Sequence, residues 1–390
     1  IAACSQAGGG HVLVPVGEWT TGAIELRSGV DLHLARGAVL RFSTDPGAYP
    51  AVPTRWEGVE CVNYSALIHA EGQENIAVTG EGILDGQAGA GNWWGWTKRG
   101  SRLDQADRTG LFAMGEAGTD VAQRVFGSGR HLRPCFIEFR HSRNVLIEGV
   151  TIVRSPMWEI HPIYCDNVTV RGVQVVSHGP NNDGCDPDSC RDVLIDRCLF
   201  DTGDDCIAIK SGRNNDGRRV GLASENLIVR GCTMKDGHGG VVLGSEISGG
   251  CRNVFVEDCV MDSPQLACAL RLKSNARRGG ILENVFMRNM RIGEVAGAVL
   301  TVDLLYEEGA RGDHPPVVRN VWLKNVESTH SPRVVEIAGF AGATIEGLHI
   351  LDSTFHGVEE VQRLRAADPV ELQNVTIDPA PKTVRNSSQP

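Results

Sequence analysis

The sequence predicts an all-β chain wound as one single-stranded, right-handed parallel β-helix, and three observations carry that expectation. First, a nine-residue phrase recurs, with Asn or Asp leading and apolar residues at the second, fourth, seventh and ninth places. It reads NVLIEGVTI from Asn144, NVTVRGVQV from Asn167, DVLIDRCLF from Asp192 and NLIVRGCTM from Asn226, and continues from Asn253, Asn284 and Asn320. Strong copies lie 23 to 36 residues apart, the repeat length of a solenoid. Second, Val145 and Ile147 are two apart, as are Val150 and Ile152, with a Gly or polar break between the pairs. Period two means strands, and the break turns the chain while keeping an apolar interior. Third, the Leu-x-x-Leu-x-Leu phrasing and helix of a leucine-rich repeat are absent. Units of this kind stack at about 4.8 Å into parallel sheets around one long core.

Each element then has a reason. The leading Asn tolerates the left-handed turn before a strand, and stacked copies are expected to form a side-chain ladder. Cys198, Cys232 and Cys259 hold the seventh place, where other copies carry Val150, Val173, Met290 and Val326, so they read as small core residues in one column rather than disulfide or metal ligands. Residues 8–43 alternate in three or four short strands and start the solenoid. Residues 86–134 lack the phrase, contain NWWGW (92–96), and read as a long loop inserted beside one end of a cleft. The chain is expected to be one domain over 1–390, frayed from about Pro379.

Composition narrows the function. A net charge of −10 disfavours a general nucleic-acid binder, while leaving room for a local basic patch. No apolar run approaches the roughly 20 residues of a membrane span, so no membrane insertion is expected. The chain opens at Ile1 rather than Met, which we read as a lost start, and the lack of a visible leader carries no information.

Four segments fall on consecutive coils at similar distances from their phrases: NNDGCDPDS (181–189), GDDCIAIKS (203–211), GHGGVVLGS (237–245) and CALRLKS (268–274). Aligned on the closing Ser, they place Asp183 over Asp205, Asp204 beside His238, and Lys210 in one column with Asp188, Gly244 and Lys273. Asp186, Ala208, Val242 and Arg271 form another column. Three carboxylates this close repel, so at least one should hold its proton near neutrality. A protonated acid beside ionised ones is what glycoside hydrolysis requires.

The quartet NND, DD, GHG and RLK resembles glycoside hydrolase family 28, the polygalacturonase family, in which it usually reads NTD, DD, GHG and RIK. The resemblance covers the whole chain, including the opening GGG…VPVG…TTGAIEL and the later EVAGAVLTVDLLYEEG (294–309). It implies a pectin-lyase-like solenoid and an inverting hydrolase of α-1,4-linked galacturonic acid in pectin, with neither metal nor cofactor. It further implies that Asp204 is the general acid, that Asp183 and Asp205 activate water, and that His238 tunes the acid. Arg271 and Lys273 would grip a substrate carboxylate, with Asn181, Tyr306 and Lys210 also at the substrate. The expected partner is galacturonan, an acidic plant cell-wall polysaccharide, and the expected location secreted or periplasmic.

Departures point to a branch. Asn182 replaces Thr, and Gly203 replaces the Gln that often precedes the DD pair in chain-interior cutters. The DPDS and SNARRGG runs resemble the bacterial exo-acting branch. Arg213, Arg218, Arg219, Arg277 and Arg278 add basic charge beside the acids, as carboxylate recognition requires, and Trp93, Trp94, Trp96 and Trp158 are potential sugar platforms. Exo cleavage from the non-reducing end is therefore expected, with 86–134 or 211–224 folded over one end of the cleft. The alternatives are endo cleavage, a decorated-pectin or rhamnogalacturonan hydrolase, a uronate lyase or epimerase on the same fold, and a non-catalytic solenoid such as a tail fibre.

Overall fold

The computed structural model describes residues 1–97 and 102–380 and is a parallel β-helix. The recurring phrase builds a 20-stranded sheet, each copy pairing in register with the next: Val145 with Val168, Val168 with Val193, Val193 with Leu227, and Leu227 with Val254. Every second residue points inward, and these columns form one continuous core. Cys198, Cys232 and Cys259 are buried in it, as the apolar seventh place requires.

The leading Asn makes the expected ladder. Asn144, Asn167, Asn226, Asn253, Asn284 and Asn320 all take φ of 55–60°, and their side-chain amides bond from rung to rung at 2.6–3.1 Å. The break at the sixth place has the same cause. Gly149, Gly172 and Gly231 have positive φ there, and Asn289 and Asn325 take φ of 55° and 53°. A second ladder therefore links Asp258, Asn289 and Asn325, at 3.0 and 2.9 Å.

The opposite face splits into a four-stranded sheet ending at Ile160–Ile163 and a six-stranded sheet beginning at Ile207–Ile209. Only isolated bridges join them, from Ile160 to Cys185 to Ile207 and from Ile163 to Asp188 to Lys210. Regular pairing thus lapses at the coil that carries Asp183, Asp186 and Asp188.

The structure departs from expectation over residues 86–134. In place of a loop it has an α-helix, Gln105–Glu116, and two 3₁₀ turns, Trp93–Thr97 and Val121–Gln123. Period-two reasoning has no signal for a short helix that buries little: Leu111 is its one fully buried large apolar side chain. The stretch 211–224 likewise contains a helix, Asn214–Val220, which packs on the first. Both helices lie against an antiparallel hairpin, Ala51–Trp56 with Val59–Tyr64, that sequence reading missed. Trp56, Leu111, Phe126 and Met157 close a second, smaller core beneath these elements. The expected fraying from Pro379 falls partly on a strand, Glu371–Pro379, and otherwise outside the described residues.

Candidate active site

The register foreseen for the four segments holds. Ala208 pairs with Val242, Val242 with Arg271, and Asp188 with Lys210. The backbone N–H of His238 donates to the carbonyl of Asp204 at 3.0 Å, and that of Gly184 to Asp205 at 3.0 Å. Asp183, Asp205, Asp204 and His238 therefore converge on one patch of neighbouring rungs.

Asp204 is the partly exposed acid of the trio; the Asp183 and Asp205 side chains are buried. Asp204 lies 2.9 Å from Nδ1 of His238, and its Oδ1 also accepts the backbone N–H of Asp205 at 3.0 Å. Asp205 is ion-paired with Lys273 at 2.7 Å. Asp183 is 3.6 Å from Nζ of Lys210. One oxygen from each of the three acids lies within 4.8 Å of the others. With Lys273 and Lys210 already on Asp205 and Asp183, the trio suits proton chemistry better than a bound divalent ion.

The expected repulsion is present, and Asp183 is the acid that is raised. Burial, with the neighbouring Asp186 and Asp204, raises the Asp183 pKa well above the carboxylate range, and burial carries that of Asp186 up to about 7. Burial pushes Asp204 upward most strongly, yet its bond to His238 and the charges of His238, Lys273 and Lys210 together outweigh this and leave it lowered. The same bond raises His238. At rest the proton of this pair therefore sits on the imidazole, so the acid we expected to hold its own proton shares one with His238.

An inverting pair is expected to have its carboxyl groups about 6.5–9.5 Å apart, with about 5 Å the mark of retention; here one oxygen of each acid lies within 4.8 Å of an oxygen of each of the others.

Of the expected substrate contacts, Arg271 has its guanidinium 5.5 Å from the Tyr306 ring centre and 3.3 Å from Asp303. Lys273 is 5.2 Å from the same ring. Asn181, at φ 55°, accepts a bond from buried Arg133 at 2.6 Å. Asn182 turns inward and ties the turn together through Ser177, Gly179, Ser155 and Met157. Lys210 corrects the expectation. It is buried among Asp183, Asp186 and Glu246, 3.3–3.6 Å from each, and lies 4.3 Å from the Trp158 ring centre. Its charge is engaged by the protein, so it holds Asp183 rather than reaching for substrate.

Sequence reading expected 86–134 at one end of the cleft, and Arg108 comes from it; Glu57 and Glu307 were not foreseen. Asp183, Asp204 and Asp205 face a cavity of about 110 Å³ that also touches Glu57, Arg108, Trp158, Glu246 and Glu307. Arg108, on the inserted helix, reaches Glu57 at the hairpin tip at 2.9 Å and Glu307 beside Tyr306 at 3.8 Å. Behind Lys210, His161 stands between Glu138 at 3.3 Å and Asp188 at 3.6 Å, and Asp188 binds Arg55 at 2.8 Å. Register alone could have found Glu246, which follows Ser245 directly; no local signal marks Glu57 or Arg108. Trp93 and Trp96 pack together with Tyr64, and Trp94 donates to the Ser155 carbonyl, so the NWWGW run holds the insertion in place. Lys98 and Arg99 lie outside the described residues. A larger groove of about 450 Å³ beside Asn289 and Asn325 is lined by Asp258, Arg291 and Glu327, without the trio of acids.

The chain is similar to known proteins throughout. It is 43% identical to an exopolygalacturonase from Thermotoga maritima of known crystal structure, covering 97% of this chain and 86% of that one, with a TM-score of 0.93. It is 28% identical to a "Probable polygalacturonase" of Vitis vinifera over 90% of its own length, and 26% identical to an exo-poly-alpha-D-galacturonosidase of Dickeya chrysanthemi over 85%. It spans 67% and 59% of those two relatives. The sequence profile of glycosyl hydrolases family 28 matches residues 122–363, which carry all four motif segments. The chain therefore belongs to family 28 of the glycosyl hydrolases.

Proposed function

We propose that this protein hydrolyses α-1,4-linked galacturonan from its non-reducing end. One observation carries the reading: three carboxylates and an imidazole converge on a small cavity beside Arg271, Lys273 and Tyr306. The acids supply hydrolytic chemistry, and the cations select an anionic sugar. The Thermotoga likeness supports the same substrate and mode. The whole chain acts as one catalytic domain and works outside the cytoplasm, where pectic chains are found.

The roles follow from the contacts. Asp204 delivers the proton it shares with His238 to the leaving glycosidic oxygen. Asp205, paired with Lys273, accepts a proton from the attacking water, which Asp183 orients from the adjacent coil. Arg271 lies on the open side, where it can take the substrate carboxylate in the plane of its guanidinium. The pH sign follows from the shared proton. It is held until pH rises through the raised His238 pKa, so activity falls on that basic limb. In His238→Ala a lone carboxyl must hold the proton and loses it at lower pH. The basic limb of kcat/KM should move down by about one unit or more; an unmoved limb removes His238 from that role.

Inversion is part of the proposal. A retaining route needs a free carboxylate to attack carbon. Asp205 is tied to Lys273, and Asp183 holds on to a proton. A water lodged between them meets neither obstacle. Proton NMR of early products should show the β-anomer from the α-linked substrate; a first-formed α-anomer would assign retention.

The mode of attack has its own measurement. Arg108 links hairpin tip, inserted helix and the Glu307 turn, and this link is the wall that the exo reading places at one end of the cleft. Galacturonic acid or a short oligomer should be released from the outset, with the viscosity of pectate falling slowly per bond cut. A rapid fall with a ladder of oligomers would assign endo cleavage.

A further inference from the structure

At the amino-terminal end of the solenoid, away from the cleft, a second cluster of ligating side chains stands on the outer face of the long sheet. The strand Gly10–Val14 is the terminal rung and pairs with Val30–Leu34. His11 lies directly opposite Asp31, and His33 is two residues further along the same face. A pleated sheet presents residues i and i+2 of one strand and the facing residue of the next as three convergent side chains. We propose that His11, Asp31 and His33 bind one zinc ion, which clamps the terminal rung of the solenoid to the second.

The distances fit. Nδ1 of His11 is 2.7 Å from Oδ2 of Asp31, and Nδ1 of His33 is 4.0 Å from the same oxygen. One donor atom from each residue lies within 4.8 Å of the other two. Zinc bonds of about 2.1 Å in tetrahedral geometry set donor atoms roughly 3.4 Å apart, so one gap opens slightly and the other closes. Two imidazoles with one carboxylate suit zinc, whereas calcium and magnesium prefer oxygen donors throughout. The fourth position belongs to water, because His11 is 76% exposed and the face is open. The carboxylate is also held in place. Thr79, on the third rung, donates to Asp31 at 2.8–2.9 Å, the kind of outer contact that orients a ligating group. The clamp acts where a solenoid is weakest, at a rung with a neighbour on one side only.

The test uses the intact protein, stripped with chelator and titrated with zinc chloride alone. Calorimetry should give one binding event per chain that is absent from the double variant H11A/H33A. Zinc should raise the melting temperature of the parent by about 2 °C or more and leave the variant unchanged. Exposed His11 and half-buried His33 are both remote from the cleft, so the variant should melt with the stripped parent and hydrolyse polygalacturonate at the parental rate. Equal zinc binding by parent and variant, or none by either, would overturn the site and leave a plain His–Asp ion pair.

Discussion

Asp204→Asn is expected to lower kcat by about 10²–10⁴-fold, the usual contribution of a positioned acid, in a protein whose circular dichroism is unchanged. The substitution keeps the shape of the side chain and its role as acceptor. Asn can still receive the backbone N–H of Asp205, which reaches Oδ1 at 3.0 Å. What it loses is the capacity to carry the proton shared with His238. The proposed route runs through the carboxyl, so its loss leaves the imidazole without a relay to the leaving oxygen. The loss should fall on kcat, with KM little changed, because Arg271, Lys273 and Tyr306 still form the substrate face. Steady-state kinetics on polygalacturonate reads both quantities. Near-parental kcat in the folded variant would remove Asp204 from proton transfer.

The parts of this site that sequence made legible are those governed by register. Once the phrase fixes the length of each coil, Asp183 must stand over Asp205 and Asp204 beside His238, since strands stacked in parallel leave no other arrangement. The αL requirement of the turns was equally open to reading, as Asn144 through Asn320 and the sixth-place Gly and Asn residues bear out. The cavity wall was not. Glu57, Arg108 and Glu307 come from a hairpin tip, an inserted helix and a late turn. They meet only because those elements fold back on the solenoid, and no periodicity spans them. Ionisation was half legible. Crowding predicts one raised acid, but Asp183 rather than Asp204 carries the burden, because the ring of His238 lies on one acid and not the other. Lys210 shows the same limit: its column was right, while its enclosure by Glu246 depends on a side chain that register alone leaves unaimed.

Glu246→Gln tests that enclosure, and it should destabilise the protein by about 3 kcal/mol at neutral pH, the lower end of the cost of breaking a buried ion pair. Glu246 is buried, 3.3 Å from Lys210 and 3.2 Å from Arg213, and it also accepts from Ser245 at 3.0 Å. Burial works against its charge, yet Lys210, Arg213 and Arg278 together hold its pKa well below the usual glutamate range. Gln keeps the volume and one acceptor but leaves two buried cations short of a countercharge. Asp183 and Asp186 still face Lys210, which keeps the cost at the lower end. The pH dependence has a definite sign. A carboxyl whose folded pKa is depressed contributes stability that is fully present above its unfolded value, near 4.3, and lost as pH falls toward the folded one. Melting temperatures of parent and variant should therefore differ most at pH 7 and converge as pH drops below about 4. Activity should fall as well, because Lys210 would draw more strongly on Asp183, which orients the attacking water. A variant that melts with the parent at pH 7 would mean that Asp183 and Asp186 alone neutralise Lys210, and that Glu246 serves the cavity wall rather than the fold.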